Sequence, residues 1–158
     1  MDGLLRPLGT SERAEQEKRY LKSDLEFIGV TVPDLRRAVK EAVRGSSWPR
    51  IDTWATDEDF WVRRSALLAL LPGIRAGQPD LERFERYAAP MLAEKEFFIR
   101  KATGWVLREI SKRDPRWVAD WTARHATVIS GVTFREAVRR LPPDEGARLR
   151  ALRLAAGS

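Results

Sequence analysis

Apolar residues recur three and four positions apart along most of this chain, the spacing of one helix face, and no segment alternates convincingly as a strand would. Turn and cap residues divide the pattern into segments. Ser11 is expected to cap a charged helix that runs to about Lys22. Leu25 to Val30 reads as a linker with apolar anchors. Thr31 then caps a helix to Arg44, with Pro33 in its first turn and Leu35, Ala38, Val39, Ala42 and Val43 on one side. Gly45-Ser46-Ser47 stops it. A short helix is predicted from Trp48 to Trp54, and a longer one from about Glu58 to Leu71, capped by Thr56 or Asp57 and ended by Pro72-Gly73. Further helices are predicted from Pro79 to Leu92, from about Lys95 to Lys112, from Asp114-Pro115 through Trp121, and from Thr133 to Leu141 with Pro142-Pro143 as its stop. An amphipathic tail helix covers Asp144 to Ala156. The prediction is an all-α chain.

Two of these helices open on nearly the same string. Asp59-Phe60-Trp61-Val62-Arg63-Arg64 is echoed 37 positions later by Glu96-Phe97-Phe98-Ile99-Arg100-Lys101. A period of that size is typical of stacked helical pairs, since one pair cannot bury its own apolar face. The expected architecture is therefore a right-handed solenoid of antiparallel HEAT-like helical pairs in a single domain over residues 1–158. Gly131-Val132-Thr133-Phe134-Arg135-Glu136 reads as a third, decayed echo.

The echo repeats a basic pair as well as aromatics. At 100° per residue, Lys101, Gly104, Arg108 and Ser111/Lys112 fall in one sector of the Lys95–Lys112 helix, with Trp105 beside it. A helical glycine costs about 1 kcal/mol relative to alanine, and at this register it would let a large partner approach the backbone. Cations one turn apart suit a phosphate backbone, because each neutralised phosphate releases counterions. The competing expectation is a solvated face paired with Glu96 or Glu109. Trp54, Trp117 and Trp121 lie on apolar faces and are expected in the core, as is Trp61, in register with Phe98. His125 is expected at a helix end.

Composition narrows the partner. Lys+Arg 29 against Asp+Glu 23 gives a net charge of +6, which favours a polyanion. Cys 0 excludes disulfides and thiolate metal sites, and His 1 excludes a histidine cluster, so no metal and no cofactor are expected. No apolar run reaches the length of a membrane span, and the N-terminus does not read as a signal peptide. The expectation is a cytoplasmic monomer without a membrane partner. No phosphate loop, nucleophile elbow or paired carboxylates stand out.

Phe60-Trp61-Val62-Arg63-Arg64-Ser65-Ala66 and Lys95 to Glu109 closely resemble the AlkD-like DNA alkylation repair family of HEAT-like repeat alkylpurine DNA glycosylases. Phe27 to Pro33 and Gly131 to Ala137 resemble it too. The resemblance implies a curved solenoid that grips double-stranded DNA on a basic concave face. It also implies hydrolysis of the N-glycosidic bond of N3- or N7-alkylated purines, by an Asp flanked by Trp side chains. On this match Arg64 corresponds to a DNA-gripping arginine and Trp105 to a lesion-facing tryptophan. Arg63, Arg100, Lys101, Arg108 and Lys112 complete the expected DNA-binding set. The family carries extra helices between the Gly-Val-x-x-Pro helix and the Phe-Trp-x-x-Arg helix, ending in the catalytic Asp; here Arg44 leads almost directly to Trp48, as if a segment near 45–48 were deleted. Trp48-Pro49-Arg50-Ile51-Asp52 keeps the Trp-x-x-x-Asp spacing and makes Asp52 the candidate catalytic acid, although Asp52 stands only 12 residues before Arg64. The alternatives are a catalytically inactive DNA-binding module and a protein-interaction HEAT-like module.

Overall fold

The computed structural model of the chain describes residues 9–21 and 48–156, together with Pro7 and Arg37. The predicted Thr31–Arg44 helix, the linker 25–30 and the break 45–47 lie outside the described residues. The chain divides into two compact units, Met1–Ile51 and Asp52–Ser158. In the first, helix α1 (Ser11–Leu21) is capped one residue earlier than expected: Thr10 Oγ1 accepts from Arg13 N at 3.4 Å. Helix α2 (Trp48–Trp54) matches its predicted bounds and contains the unit boundary, so Asp52 to Trp54 belong to the second unit.

The second unit is helical throughout its described residues: α3 (Phe60–Ala69), α4 (Leu71–Arg75), α5 (Leu81–Met91), α6 (Phe97–Ile110), α7 (Pro115–Arg124), α8 (Gly131–Val138) and α9 (Pro143–Ala156). Side-chain caps set most of the starts. Asp59, Asp80, Asp114 and Ser130 each accept a hydrogen bond from a backbone N–H of the first turn of α3, α5, α7 and α8, satisfying donors that no helical carbonyl can reach. The cap of α3 is Asp59 rather than Thr56 or Asp57, because Asp57 Oδ1 is occupied by the N–H of Asp59 at 2.9 Å. Pro72-Gly73 does not end the helical run. Pro72 lies in the first turn of α4, where its missing N–H costs nothing, and the chain turns instead at Gly77, whose φ of 84° is glycine territory. The weakest echo proves helical from its first residue, since Gly131 opens α8.

Helix α6 is the centre of this unit. It packs most extensively on α8 and next on α3, and Ile99, Ala102, Val106, Leu107 and Ile110 on its inner faces are buried. Ala66, Leu67 and Leu70 of α3 and Phe134 and Ala137 of α8 close the same core. Phe84 of α5 meets Trp121 and Trp117 of α7 at 5.5 and 6.0 Å between ring centres. Trp54 and Trp121 are buried, as expected; Trp117 and Trp61 are half-buried. His125 caps the C-terminus of α7, with its Nε2 3.2 Å from Glu85 Oε1. No helix among the described residues is long and apolar enough to cross a membrane.

Candidate nucleic-acid interface

The two echoed basic pairs divide in the same way. The first cation of each pair turns inward onto Glu94, which lies just before α6. Arg63 donates from Nε and Nη2 to the two Glu94 carboxylate oxygens at 2.9 and 2.7 Å, and from Nη1 to the carbonyls of Asp57 and Glu58. Arg100, its counterpart, donates from Nε to the Glu94 carbonyl at 2.9 Å. The Glu94 hydrogen bond, and then its charge, hold the Arg63 guanidinium above its ordinary range against the effect of burial. Arg63 and Arg100 are therefore tied into the scaffold.

The second cation of each pair lies over an aromatic ring of its own helix. The Arg64 guanidinium carbon is 5.6 Å from the centre of the Trp61 ring, and Lys101 Nζ is 5.7 Å from that of Phe97. These are cation–π distances. Neither residue has a carboxylate within ion-pair reach among the described residues. Arg64 is half-buried, its Nε is enclosed without a hydrogen-bond partner, and burial pushes its guanidinium below the usual range.

The rings beneath these cations join the two helices. Phe60 and Trp61 are 4.7 Å apart, Trp61 and Phe98 4.8 Å, and Phe98 and Phe97 5.5 Å. Trp61 thus meets Phe98 in register, as the echo predicts. The face ends on Phe97, which is 51% exposed. The first turns of α3 and α6 adjoin here through these rings.

Toward the other end of α6 the predicted stripe is largely occupied by the protein itself. Gly104 is buried, and a Cβ there would stand 2.8 Å from Glu136 Cβ and 3.2 Å from Thr133 Cα of α8. The glycine serves the close approach of α8 and not that of an outside partner, correcting the sequence expectation. Arg108 pairs with Glu136 of α8. Lys112 Nζ lies 2.8 Å from both oxygens of buried Glu109. Burial opposes the charge of Glu109, but Lys112 and Arg75 outweigh it and hold its carboxyl below the usual range. Trp105 is half-buried and stands outside the ring ladder of α3 and α6. Glu94 and Glu136 are the residues that reading the helices one at a time misses. Their signal is position, since Glu94 precedes the second echo and Glu136 closes the third.

Asp52 on α2 faces α5. Its Oδ1 accepts from Tyr87 Oη at 2.5 Å, Arg83 Nε at 2.9 Å and Arg86 Nη2 at 3.3 Å. Burial opposes its ionisation, but these hydrogen bonds and the two guanidinium charges outweigh it and keep the carboxyl below its ordinary range. Burial, and then the Asp52 hydrogen bond and charge, raise the Tyr87 phenol in turn. No group of three His, Cys, Asp or Glu side chains among the described residues is arranged to hold a metal ion.

Among the described residues the protein is all-helical, and its echoed helices carry two cations on a shared aromatic ladder. Residues 2–51 and 46–141 match the sequence model of the DNA alkylation repair enzyme family, and the chain belongs to that family. No curated protein matches the chain.

Proposed function

We propose that this protein acts in DNA alkylation repair by binding duplex DNA, with Arg64 and Lys101 contacting phosphates and the Phe97 end of the ladder lying against the strand. The observation that carries this reading is the matched placement of Arg64 and Lys101, each over a ring and each without a carboxylate in ion-pair reach among the described residues. Membership of the repair family supports DNA as the polyanion. The solenoid expected from the sequence belongs to this reading, supported by the contact of α3 with α6 at equivalent residues. The seam at 46–51 between the two matched segments supports a single family domain with an internal segment missing.

A binding protein without glycosylase chemistry is favoured by the state of Asp52. Stabilising an oxocarbenium-like sugar requires negative charge that is free to act on it. The Asp52 carboxylate faces two guanidinium groups and a phenol, so its charge is already compensated. Trp105, the expected lesion-facing ring, lies on α6. The test is a duplex carrying N7-methylguanine, with protein binding and released base followed in the same samples. Binding with base release no faster than in protein-free DNA is the expected result. Release that depends on Asp52 would establish the glycosylase, and absence of binding would remove the DNA reading altogether.

A further inference from the structure

Beyond the α3–α6 ladder the second unit carries another cationic surface, at the C-terminal ends of α6 and α8. Two adjoining open depressions share Glu109 as their lining acid; Arg108, Arg139 and Arg140 line the first, and Arg75, Lys112 and Arg113 the second. Six cations thus meet one lining carboxylate, with Glu136 alongside as the second acid, engaged by Arg108 and Arg139. The surplus of positive charge is borne mainly by Arg113 and Arg140, neither of which has a carboxylate within reach among the described residues. A concave surface of one sign focuses its field and concentrates the opposite charge.

Arg113 is also positioned. Its Nη2 donates to the Arg75 carbonyl at 3.0 Å, and its guanidinium lies over Gly77, where a Cβ would stand 3.2 Å from Nη1. Basic residues at helix C-termini usually do no more than offset the helix dipole. That account covers Arg139 and Arg140 but not Arg113, which the Gly77 turn holds at the depression from across the α4–α5 connection. Lys101 and Lys112 are eleven residues apart, which places the ladder and the depressions roughly 16 Å apart along the α6 direction.

We infer that Arg113 and Arg140, with Arg139 beside them, form a second phosphodiester-binding surface that holds the nucleic-acid backbone beyond the stretch contacted by Arg64 and Lys101. This rests on the DNA-binding reading above. Each phosphate contact adds to the salt dependence of affinity, with a slope of about 0.9 in log K against log salt.

The experiment titrates a short unmodified duplex at several salt concentrations, with circular dichroism confirming that each variant folds. Arg139→Gln/Arg140→Gln is expected to lower the slope so that a fourfold rise in salt costs about tenfold less affinity than in the parent. Arg113→Gln lowers it by about half as much in slope. Arg148→Gln, which removes an exposed charge paired with Glu145 on α9, leaves the slope unchanged. Slopes equal to the parent's in the Arg113 and Arg139/Arg140 variants, with Lys101→Ala still lowering it, would overturn this inference alone. Binding of inorganic phosphate that depends on Arg139 and Arg140, with the duplex slope unaffected, would overturn it in favour of a small-anion site. A parent protein with no salt-dependent duplex binding would overturn both this inference and the reading beneath it.

Discussion

Arg63 and Glu94 form a two-pronged ion pair whose side chains are only 18% and 20% exposed. This contact separates the neighbouring arginines of Arg63-Arg64 into a structural cation and an available one. A double-mutant cycle on Arg63 and Glu94 should return a coupling of about 0.5–3 kcal/mol in folding stability. Each single variant leaves a partly buried charge without its partner, so each should cost more than an exposed pair would. Stability measured by urea denaturation checks this, and independent, additive losses would show that the pair contributes nothing.

Gly104→Ala should destabilise the protein although alanine is the better helix former. The added methyl meets Glu136 Cβ and Thr133 Cα, neither of which can swing away as the end of a long side chain could. Overpacking of this kind costs about 1–3 kcal/mol, against a propensity gain of about 1 kcal/mol. A lowered melting midpoint is expected, and a raised one would mean that α8 yields freely.

The acid limb of stability should depend on Asp52. Its folded carboxyl titrates below the unfolded one, so its contribution is complete above the ordinary Asp range and is lost as pH falls toward the folded value. Glu109 acts with the same sign. Asp52→Asn should therefore be less stable than the parent at neutral pH and lose less on acidification, so the two curves converge below about pH 4. Urea midpoints measured across that range test it; parallel curves would contradict the role given to the Arg83–Tyr87 cluster.

Much of the helix order was legible because its signals are local. Asp114-Pro115 marks the start of α7 by a side-chain cap and a first-turn proline, both readable within four residues. Pro72-Gly73 misled because proline both stops one helix and starts another, and only packing decides which. The aromatic half of the echo was legible for the same reason that it is structural: rings at one register of adjacent helices meet. The fate of the cations was not. Glu94 lies 31 positions from Arg63 and Glu136 lies 28 from Arg108, so a helical wheel cannot show that either arginine is neutralised. Gly104 read as an opening on the basic stripe because the wheel shows a missing side chain but not the helix that fills the space.

On the proposed reading, the division of each basic pair makes Arg64 and Lys101 the residues on which DNA binding would turn. The direct test is the salt dependence of duplex affinity for the parent and for Arg63→Ala, Arg64→Ala and Lys101→Ala. The parent should lose affinity steeply as salt rises. Arg64→Ala and Lys101→Ala should each lower the slope of log K against log salt by about 0.9, while Arg63→Ala leaves it unchanged in the folded protein. A slope that falls with Arg63→Ala and not with Arg64→Ala or Lys101→Ala would contradict the account.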